Sequence, residues 1–510
     1  MVLALAIQSG AESVFYNVLD YGAKNDGSEM ATEAIKKAID AAFEAGGGTV
    51  FFPAGEYLTG PIHFKSNITL HIDAGATVRF SDNFDDYLPM VHSRWEGTEV
   101  TNFSPLIYAY EVENIAITGR GTLDGQGKKW WDFHHKLYDK STPRSKWQYI
   151  FDSLNQNVTM PDQPGMILRG FLRPPFIQPM FAKNFLVEGV TIVNSPFWTV
   201  NPVFCENVTV TGVTIINPDE GPNTDGINPE SCRYVHISDC HISVGDDCIT
   251  IKSGRDRDGR NRGAPAENYT ITNCTMLSGH GGVVIGSEMS GDVRKIAISN
   301  CIFDGTDRGI RLKTMRGRGG VVEEIRVSNI VMKNIKDQAI VLDMEYGRTQ
   351  PEPVSERTPV FKNIHISNVT AETNEAAFLR GLDEMYIENI SFENLRIKAK
   401  KGFRMINSRN IRIANARIDT ESGPAIQAEN VFSLDLDGIS SLKPHKDTPV
   451  ISLTNVEDAF IHDSFQTVPA DVFLKLEGEK TRNVALSGNN LNKVKRTVLK
   501  EKKVQEPTIL

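Results

Sequence analysis

The chain of 510 residues has only 6 cysteines, too few for a disulfide scaffold and without the CxxC spacing of a zinc pair. No stretch reaches the roughly 18 uncharged apolar residues of a membrane span, which argues against a membrane protein. Basic residues are outnumbered as well, because 64 Asp and Glu against 55 Lys and Arg give a formal charge of −9. A surface that binds nucleic acid or a membrane throughout is therefore excluded, whereas a local basic patch is not.

A phrase of alternating apolar and polar residues recurs along the chain at intervals of about 20 to 40 residues. Alternation with period two indicates short strands with one buried face. The repeat therefore predicts an all-β fold, a single-stranded right-handed parallel β-helix whose coils stack about 4.8 Å apart. Copies of the phrase begin at Ile68, Ile115, Phe185, Val208, Val235, Tyr269, Ile296, Ile325, Ile364 and Ile411. Cys240, Cys274 and Cys301 share one phase of the repeat, which predicts a column of interior thiols.

One helical pattern precedes the repeats and ends at the glycines at 46–48. We expect this short helix to cap the open N-terminal end of the stack. Its apolar positions are Ile35, Ala38, Ile39, Ala42 and Phe43.

The repeat argues against several domains, although the length alone would suggest about three. We expect an N-terminal extension at 1–16, one β-helix catalytic domain at 17–490 and a basic, solvated C-terminal tail at 491–510. A segment at 125–173 interrupts the repeat and carries Trp130, Trp131 and Trp147. This segment is interpreted as a wall at one end of a groove, with a packed decoration of the stack as the alternative.

Four groups of polar residues break the alternation on successive repeats, about one coil apart. Residues of equal phase become neighbours in a solenoid, so we expect these groups to meet on one face. The groups are Asn223-Thr224-Asp225, Gly245-Asp246-Asp247, Gly279-His280-Gly281 and Arg311-Leu312-Lys313.

The residue types in these four groups suit a particular kind of chemistry. Asp246 and Asp247 reach the same cleft only if the backbone turns, which Gly245 would permit. Crowded carboxyl groups cannot all ionise freely, so the pKa of one of them should rise until it can donate a proton. A proton donor with one or two bases is the minimum set for glycoside hydrolysis. Arg311 and Lys313 would point to one face and suit the carboxylate of an acidic sugar.

The charge near these groups differs from that of the whole chain. Between Lys252 and Arg318 there are 12 basic and 7 acidic residues. This local excess of +5 indicates either a solvated basic ridge or a groove that attracts a polyanion.

In these motifs the sequence resembles the polygalacturonases of glycoside hydrolase family 28, whose pattern is Asn-Thr-Asp, Gly-Asp-Asp, Gly-His-Gly and Arg-(Ile/Leu)-Lys in this order. Stretches such as GPNTDGINPESC, VGDDCITIKSGRD and GHGGVVIGSEMSG are most similar to bacterial exo-acting members. The resemblance extends from about residue 17, through the phrase DYGAKNDG, to about residue 347.

The resemblance implies a role for each matching residue. Asp246 would be the general acid, Asp225 and Asp247 would activate water on the opposite face with inversion, and His280 would tune the acid. The implied substrate-binding residues are Arg311, Lys313, Asn223, Tyr346 and Lys252. No metal and no cofactor are implied.

The resemblance predicts an inverting hydrolase that removes α-1,4-linked galacturonic acid from pectin, exo-acting, with a pectic polysaccharide or oligogalacturonide as partner. We expect a secreted or periplasmic location, although the apolar residues 1–7 lack the basic start of a signal peptide. Three alternatives stay open: a galacturonidase acting on rhamnogalacturonan ends, a calcium-dependent pectate lyase in which the aspartates bind metal, and a non-catalytic β-helix that binds a polyanion.

Overall fold

The computed structural model describes residues 15–138, 141–158, 173–347 and 349–509. Most of the predicted N-terminal extension and residues 159–172 of the inserted segment lie outside these ranges. Within them there are four α-helices and two short 3-10 helices, at Val18–Tyr21 and Phe84–Tyr87. The α-helices are α1 Thr32–Glu44, α2 Lys128–Tyr138, α3 Lys146–Leu154 and α4 Asp256–Arg262. None of these described helices is long and apolar enough to cross a membrane.

Short strands make up most of the rest. Before the inserted segment they are β1 Phe15–Asn17, β2 Asp26–Met30, β3 Gly48–Phe52, β4 Gly55–Thr59, β5 Ile62–His63, β6 Ile68–Ile72, β7 Ala76–Phe80, β8 Val91–Trp95, β9 Thr98–Asn102, β10 Ile107–Tyr110, β11 Glu113–Gly119 and β12 Thr122–Asp124. The next are β13 Ile177–Met180, β14 Lys183–Glu188, β15 Thr191–Val193, β16 Glu206–Thr211, β17 Thr214–Ile216, β18 Arg233–Ser238, β19 His241–Ser243, β20 Asp247–Ile251, β21 Ala266–Thr272, β22 Thr275–Ser278, β23 Gly281–Gly286, β24 Val293–Asp304 and β25 Ile310–Lys313. The last are β26 Val321–Asp343, β27 Val360–Arg380, β28 Ile387–Thr420, β29 Ile426–Asp437, β30 Pro449–His462, β31 Ala470–Glu477, β32 Arg482–Ser487, β33 Val494–Lys500 and β34 Thr508–Ile509.

The strands pair in parallel, each with the strand one coil further along the chain. The first residues of the repeated phrase form a continuous column, Phe185, Val208, Val235, Tyr269, Ile296, Ile325 and Ile364. Among the described strands only β8 and β9 pair antiparallel, as a hairpin that leaves the stack. The predicted parallel β-helix is therefore confirmed.

Side chains of equal phase stack in columns inside and outside the coils. Cys240, Cys274 and Cys301 are buried free thiols on successive coils, as the repeat predicted. On the outside, asparagines with positive φ occupy the turns, where their short polar side chains tolerate the left-handed conformation. Asn329 Nδ2 donates to Asn300 Oδ1 (3.1 Å), and Asn368 Nδ2 donates to Asn329 Oδ1 (3.0 Å). These hydrogen bonds tie each turn to the next.

Helix α1 packs on the first coils and buries Ala34, Ile35, Ala38, Ile39 and Ala42. Phe43 differs from the predicted apolar face, because its side chain is 44% exposed. It lies at the solvent edge of the helix, where Lys65 Nζ is 4.8 Å from the ring centroid.

The described part of the inserted segment packs against the N-terminal coils. Trp130 is fully buried and stacks on Phe84 with ring centroids 3.9 Å apart, and Trp147 also contacts Phe84. Trp131 Nε1 donates to the carbonyl oxygen of Ser195 (3.0 Å). These contacts correspond to the alternative interpretation, a packed decoration of the stack.

The C-terminal residues 491–510 also differ from the prediction of a solvated tail. Strand β33 pairs with β31 and β34 pairs with β32, so the chain from 491 continues the stack instead of leaving it. The basic side chains are mostly exposed there, while Val504 is buried.

We expect Asn329→Ala to lower the free energy of unfolding by about 1–2 kcal/mol, because alanine is strained at positive φ and loses two hydrogen bonds. Asn329→Gly should lower it less, since glycine adopts this conformation freely. Urea unfolding of the three proteins measures the effect. Equal stability of Asn329→Ala and the parent would contradict a structural role for the asparagine column.

Candidate active site

A cleft of about 600 Å³ lies on the coil face formed by β20, β23 and β25. All four polar groups singled out from the sequence reach this cleft. Its lining includes each predicted site residue: Asn223, Asp225, Asp246, Asp247, Lys252, His280, Arg311, Lys313 and Tyr346.

The strand register explains why the groups meet. Ile227 pairs with Ile249 in a parallel bridge, so Asp225 and Asp247, each two residues earlier, occupy equal positions on adjacent coils. Asp247 in turn pairs with Gly281 on β23. A Cβ atom at Gly281 would lie 3.3 Å from Asp247 Oδ1, so glycine leaves room for the carboxylate.

The predicted turn between the two aspartates is present, since the backbone bends at Gly245 and Asp246 before β20 begins at Asp247. Glycine is needed at 245 for close approach: a Cβ atom there would lie 2.5 Å from the carbonyl oxygen of Gly221. Gly279, with φ +143, likewise lets the backbone N–H of His280 donate to the carbonyl oxygen of Asp246 (2.9 Å).

Asp247 is buried and paired with both predicted cations. Lys313 Nζ lies 2.7 Å from Asp247 Oδ2, and Arg311 Nη1 lies 3.3 Å from Oδ1. Burial raises the pKa of Asp247, but Lys313 and Arg311 outweigh it and lower the pKa to about 2. The two cations therefore hold Asp247 in its ionised form.

Asp225 has the opposite electrostatic environment. Burial, reinforced by the charges of Asp246 and Asp247, raises the pKa of Asp225 well above its usual range. Its Oδ2 accepts from Asn228 Nδ2 (2.9 Å) and Thr250 Oγ1 (3.3 Å), whereas its buried Oδ1 has no partner among the described residues. The predicted rise of one carboxyl pKa is thus found at Asp225, whereas the resemblance had assigned proton donation to Asp246.

Asp246 lies closer to solvent than the other two carboxyl groups, with 17% of its side chain exposed. His280 Nδ1 lies 3.1 Å from Asp246 Oδ1, and Asn223 Nδ2 donates to Asp246 Oδ2 (3.3 Å). The hydrogen bond with Asp246 raises the pKa of His280 above its ordinary value. The imidazole therefore holds its proton to higher pH beside the accessible carboxyl group.

The three carboxyl groups are tightly clustered, with one oxygen of each within 4.8 Å of the others. Such a set could also hold a divalent cation, as the lyase alternative requires. Asp247 is already paired with two cationic side chains, which take the place of a metal charge at this carboxylate.

Two other predicted residues also have defined contacts. Tyr346, 49% exposed, has its ring centroid 5.3 Å from Lys313 Nζ and 5.4 Å from Arg311 Cζ. Lys252 Nζ lies 2.8 Å from Glu288 Oε2 and 4.6 Å from the ring centroid of Trp198. The ammonium group of Lys252 is therefore engaged by the protein itself.

The local excess of positive charge does not make the cleft basic. Among the described residues that line it, the basic ones are Lys252, Arg255, Arg308, Arg311, Lys313 and Arg318, and the acidic ones are Glu96, Asp225, Asp246, Asp247, Glu288, Asp307 and Asp337. Most of these cations form ion pairs, for example Arg255 with Glu96 (2.9 Å). Ion pairs within the protein therefore neutralise most of the local positive charge at the cleft.

Several lining or supporting residues escaped the sequence analysis. Glu96 lies in the turn of the β8–β9 hairpin, which closes one margin of the cleft and is anchored by the buried pair of Arg94 with Glu230 (2.5 Å). None of the described residues of the inserted segment lines the cleft. Buried Arg173 donates to Asn223 Oδ1 (2.8 Å) and so orients this amide. Only Asn228 carried a signal in the sequence, since it lies two residues after the Asn-Thr-Asp-Gly stretch.

A sequence profile described as "Glycosyl hydrolases family 28" matches residues 168–417, and one described as "Rhamnogalacturonase A/epimerase, pectate lyase-like" matches residues 15–164. A protein named "Probable polygalacturonase" from Vitis vinifera is 31% identical over 401 residues, which cover 76% of this chain and 75% of the relative. The chain belongs to glycosyl hydrolase family 28.

Solved structures agree with this membership. A hyperthermoactive exopolygalacturonase from Thermotoga maritima is similar with a TM-score of 0.69 and 36% identity, over 79% of this chain and 92% of that one. A polygalacturonase from Erwinia carotovora is similar with a TM-score of 0.61 and 27% identity, over 76% and 95% of the two chains. The family resemblance predicted from the four motifs is confirmed.

In this family 28 chain we expect Asp246→Asn to lower the pKa of His280, because the amide removes the charge that stabilises the imidazolium. NMR titration of labelled histidines measures this pKa. In the parent protein, the pair of His280 and Asp246 adds to the free energy of unfolding. This contribution is fully present below the unfolded histidine pKa of about 6.5 and is lost as the pH rises through the raised pKa of His280. A His280 pKa unchanged by the substitution would contradict the coupling.

Proposed function

We propose that the protein hydrolyses α-1,4-linked galacturonic acid from pectic chains and acts from a chain end. The observation that carries this proposal is the pair Arg311 and Lys313 held beside the carboxyl cluster, where they can receive the carboxylate of a uronic acid. The similarity to a probable polygalacturonase and to an exopolygalacturonase supports both the substrate class and the mode.

Asp246 is the proposed general acid, because it is the most exposed of the three carboxyl groups and is bonded to His280. Its proton passes to the glycosidic oxygen as the bond to the anomeric carbon breaks. His280 keeps the carboxyl group oriented and adjusts its protonation.

The proposed base is Asp225, assisted by Asp247. Oδ1 of Asp225, which has no partner among the described residues, is a binding position for the attacking water, and the ionised carboxylate is a strong base because its pKa is raised. Asp247 holds the water and neutralises part of the positive charge of Arg311 and Lys313. The water oxygen bonds to the anomeric carbon on the face opposite the leaving group, and its proton passes to Asp225, with inversion of configuration.

The carboxyl groups lie closer together than the acid and base of most inverting glycosidases. Inverting glycosidases commonly hold the acid and base about 6.5–9.5 Å apart, whereas the nearest oxygens here lie within 4.8 Å. The inverting assignment is supported by the family resemblance and by Oδ1 of Asp225, which has no partner among the described residues and can bind a water.

The chain-end mode is supported by the β8–β9 hairpin, whose residue Glu96 restricts one margin of the cleft. A galacturonidase acting on rhamnogalacturonan ends is the second candidate, favoured by the profile named for rhamnogalacturonase at residues 15–164. We propose a secreted or periplasmic location, because pectic polymers lie outside the cell that degrades them.

We expect Asp246→Asn to lower kcat on polygalacturonate at least about a hundredfold, because the amide cannot donate the proton. Arg311→Ala should mainly raise KM, since it removes a hydrogen-bonding partner of the substrate carboxylate. Release of reducing sugar measures both, and Asp132→Asn, an exposed aspartate of α2, is the control. Near-parental turnover in Asp246→Asn would overturn the mechanism.

Product analysis tests the substrate and the mode. From polygalacturonate we expect galacturonic acid monomer as the small product, slow loss of viscosity, and an initial product anomer inverted relative to the α linkage in the NMR spectrum. Activity should persist in a chelator, without an ultraviolet-absorbing unsaturated product. Release of galacturonate only from rhamnogalacturonan fragments would establish the second candidate, and chelator-sensitive unsaturated products would establish the lyase.

A further inference from the structure

A second cavity of about 300 Å³ lies on the same coil face as the cleft, further along the stack. The register shows this directly, because Arg311 pairs with Val341, Val341 with Phe378, Phe378 with Arg404 and Arg404 with Gln427. Arg404 is thus three coils beyond Arg311, or about 14 Å along the stack axis at about 4.8 Å per coil. Arg404 and Gln427 line this second cavity.

The second cavity adjoins the rim of the cleft. Asp337 lines the cleft, and its neighbour Gln338 donates through Nε2 to Glu375 Oε2 (3.0 Å) in the wall of the second cavity. A polymer that leaves the cleft past Tyr346 toward the C-terminal coils therefore follows the face that leads to this cavity.

Two cationic groups of the cavity remain available for a ligand. Arg404 Nε is 3.2 Å from Glu375 Oε1, but its two terminal nitrogens have no partner among the described residues. Lys401 is exposed, pairs in register with Glu375 and forms no ion pair in the described part of the chain. By contrast, most arginines of the catalytic cleft are already paired.

The arginine is held ready for a planar anion. Its Cζ lies 4.2 Å from the ring centroid of Phe378, so the guanidinium rests on the aromatic ring while Glu375 fixes its Nε side. A Cβ atom at Gly402 would lie 2.2 Å from the carbonyl oxygen of Pro424, so only glycine permits this shape of the cavity. A preoriented guanidinium fork suits a carboxylate bidentately.

We infer that this cavity is a distal binding site for galacturonate units of the polymer, with the sugar carboxylate held by Arg404 and Lys401. The inference rests on the proposed function, since it takes the same polymer as ligand. The site would strengthen the binding of long chains and leave the binding of short ones to the catalytic cleft.

Affinity electrophoresis in gels containing polygalacturonate tests binding without turnover. The Asp246→Asn protein should be retarded, and the added substitutions Lys401→Ala and Arg404→Ala should reduce the retardation. Arg412→Ala, an exposed arginine paired with Asp437 elsewhere on the stack, is the matched control in the same background. Equal retardation of all three proteins would overturn the distal site, whatever the activity of the parent.

Kinetics on two chain lengths separates the distal site from the proposed function. For Lys401→Ala/Arg404→Ala, the ratio of KM on polygalacturonate to KM on trigalacturonate should rise on the order of tenfold, because charge-assisted hydrogen bonds are lost only with the longer chain. Arg404→Lys should show an intermediate ratio, and thermal unfolding checks that the variants fold. A parent inactive on both substrates contradicts the proposed function, whereas an active parent with an unchanged ratio contradicts the distal site.

Discussion

The in-register pairing of each coil with the next is the constraint on which the rest of this structure depends. It places equal positions of successive coils about 4.8 Å apart, so a residue type repeated at one position becomes a column. Asparagines form columns at turns and cysteines form one inside. On one outer column the sign of the charge alternates, through Glu113, Lys183, Glu206, Arg233, Glu267 and Arg294. Because the signs alternate, neighbouring side chains in this column can form ion pairs. Charges of one sign at the same spacing would repel each other.

At the catalytic face the same spacing crowds like charges. Asp225 and Asp247 occupy equal positions on adjacent coils, and the backbone bend adds Asp246 beside them. The crowding is relieved because Lys313 and Arg311 pair with Asp247, while burial raises the pKa of Asp225. The fold thus makes neighbouring carboxyl groups chemically different, which is what acid and base roles require.

Much of the fold and the center of the site could be predicted from the sequence. The repeat indicated the β-helix, and the spacing of the four polar groups indicated their meeting. The margins of the site could not be predicted, because they are formed by loops and hairpins that leave the stack and contact residues far away in the sequence. Glu96 reaches Arg255 across 159 residues, and Arg94 reaches Glu230 across 136. For the same reason, the sequence predicts a wall of the cleft for the tryptophan-rich segment, whereas its tryptophans pack on the stack and Arg173 at its end contacts a cleft residue, Asn223.

The sequence by itself determined the phase of each residue in the repeat, hence which side chains share a face, because alternation and coil length are local properties of the chain. Only the tertiary structure decided which charges stay unpaired. The local charge of +5 left a solvated ridge and a polyanion-binding groove both open, whereas in the structure partners from distant coils neutralise most of the cations that line the cleft. Ion pairing acts over a few ångströms in space, and sequence distance carries no information about it.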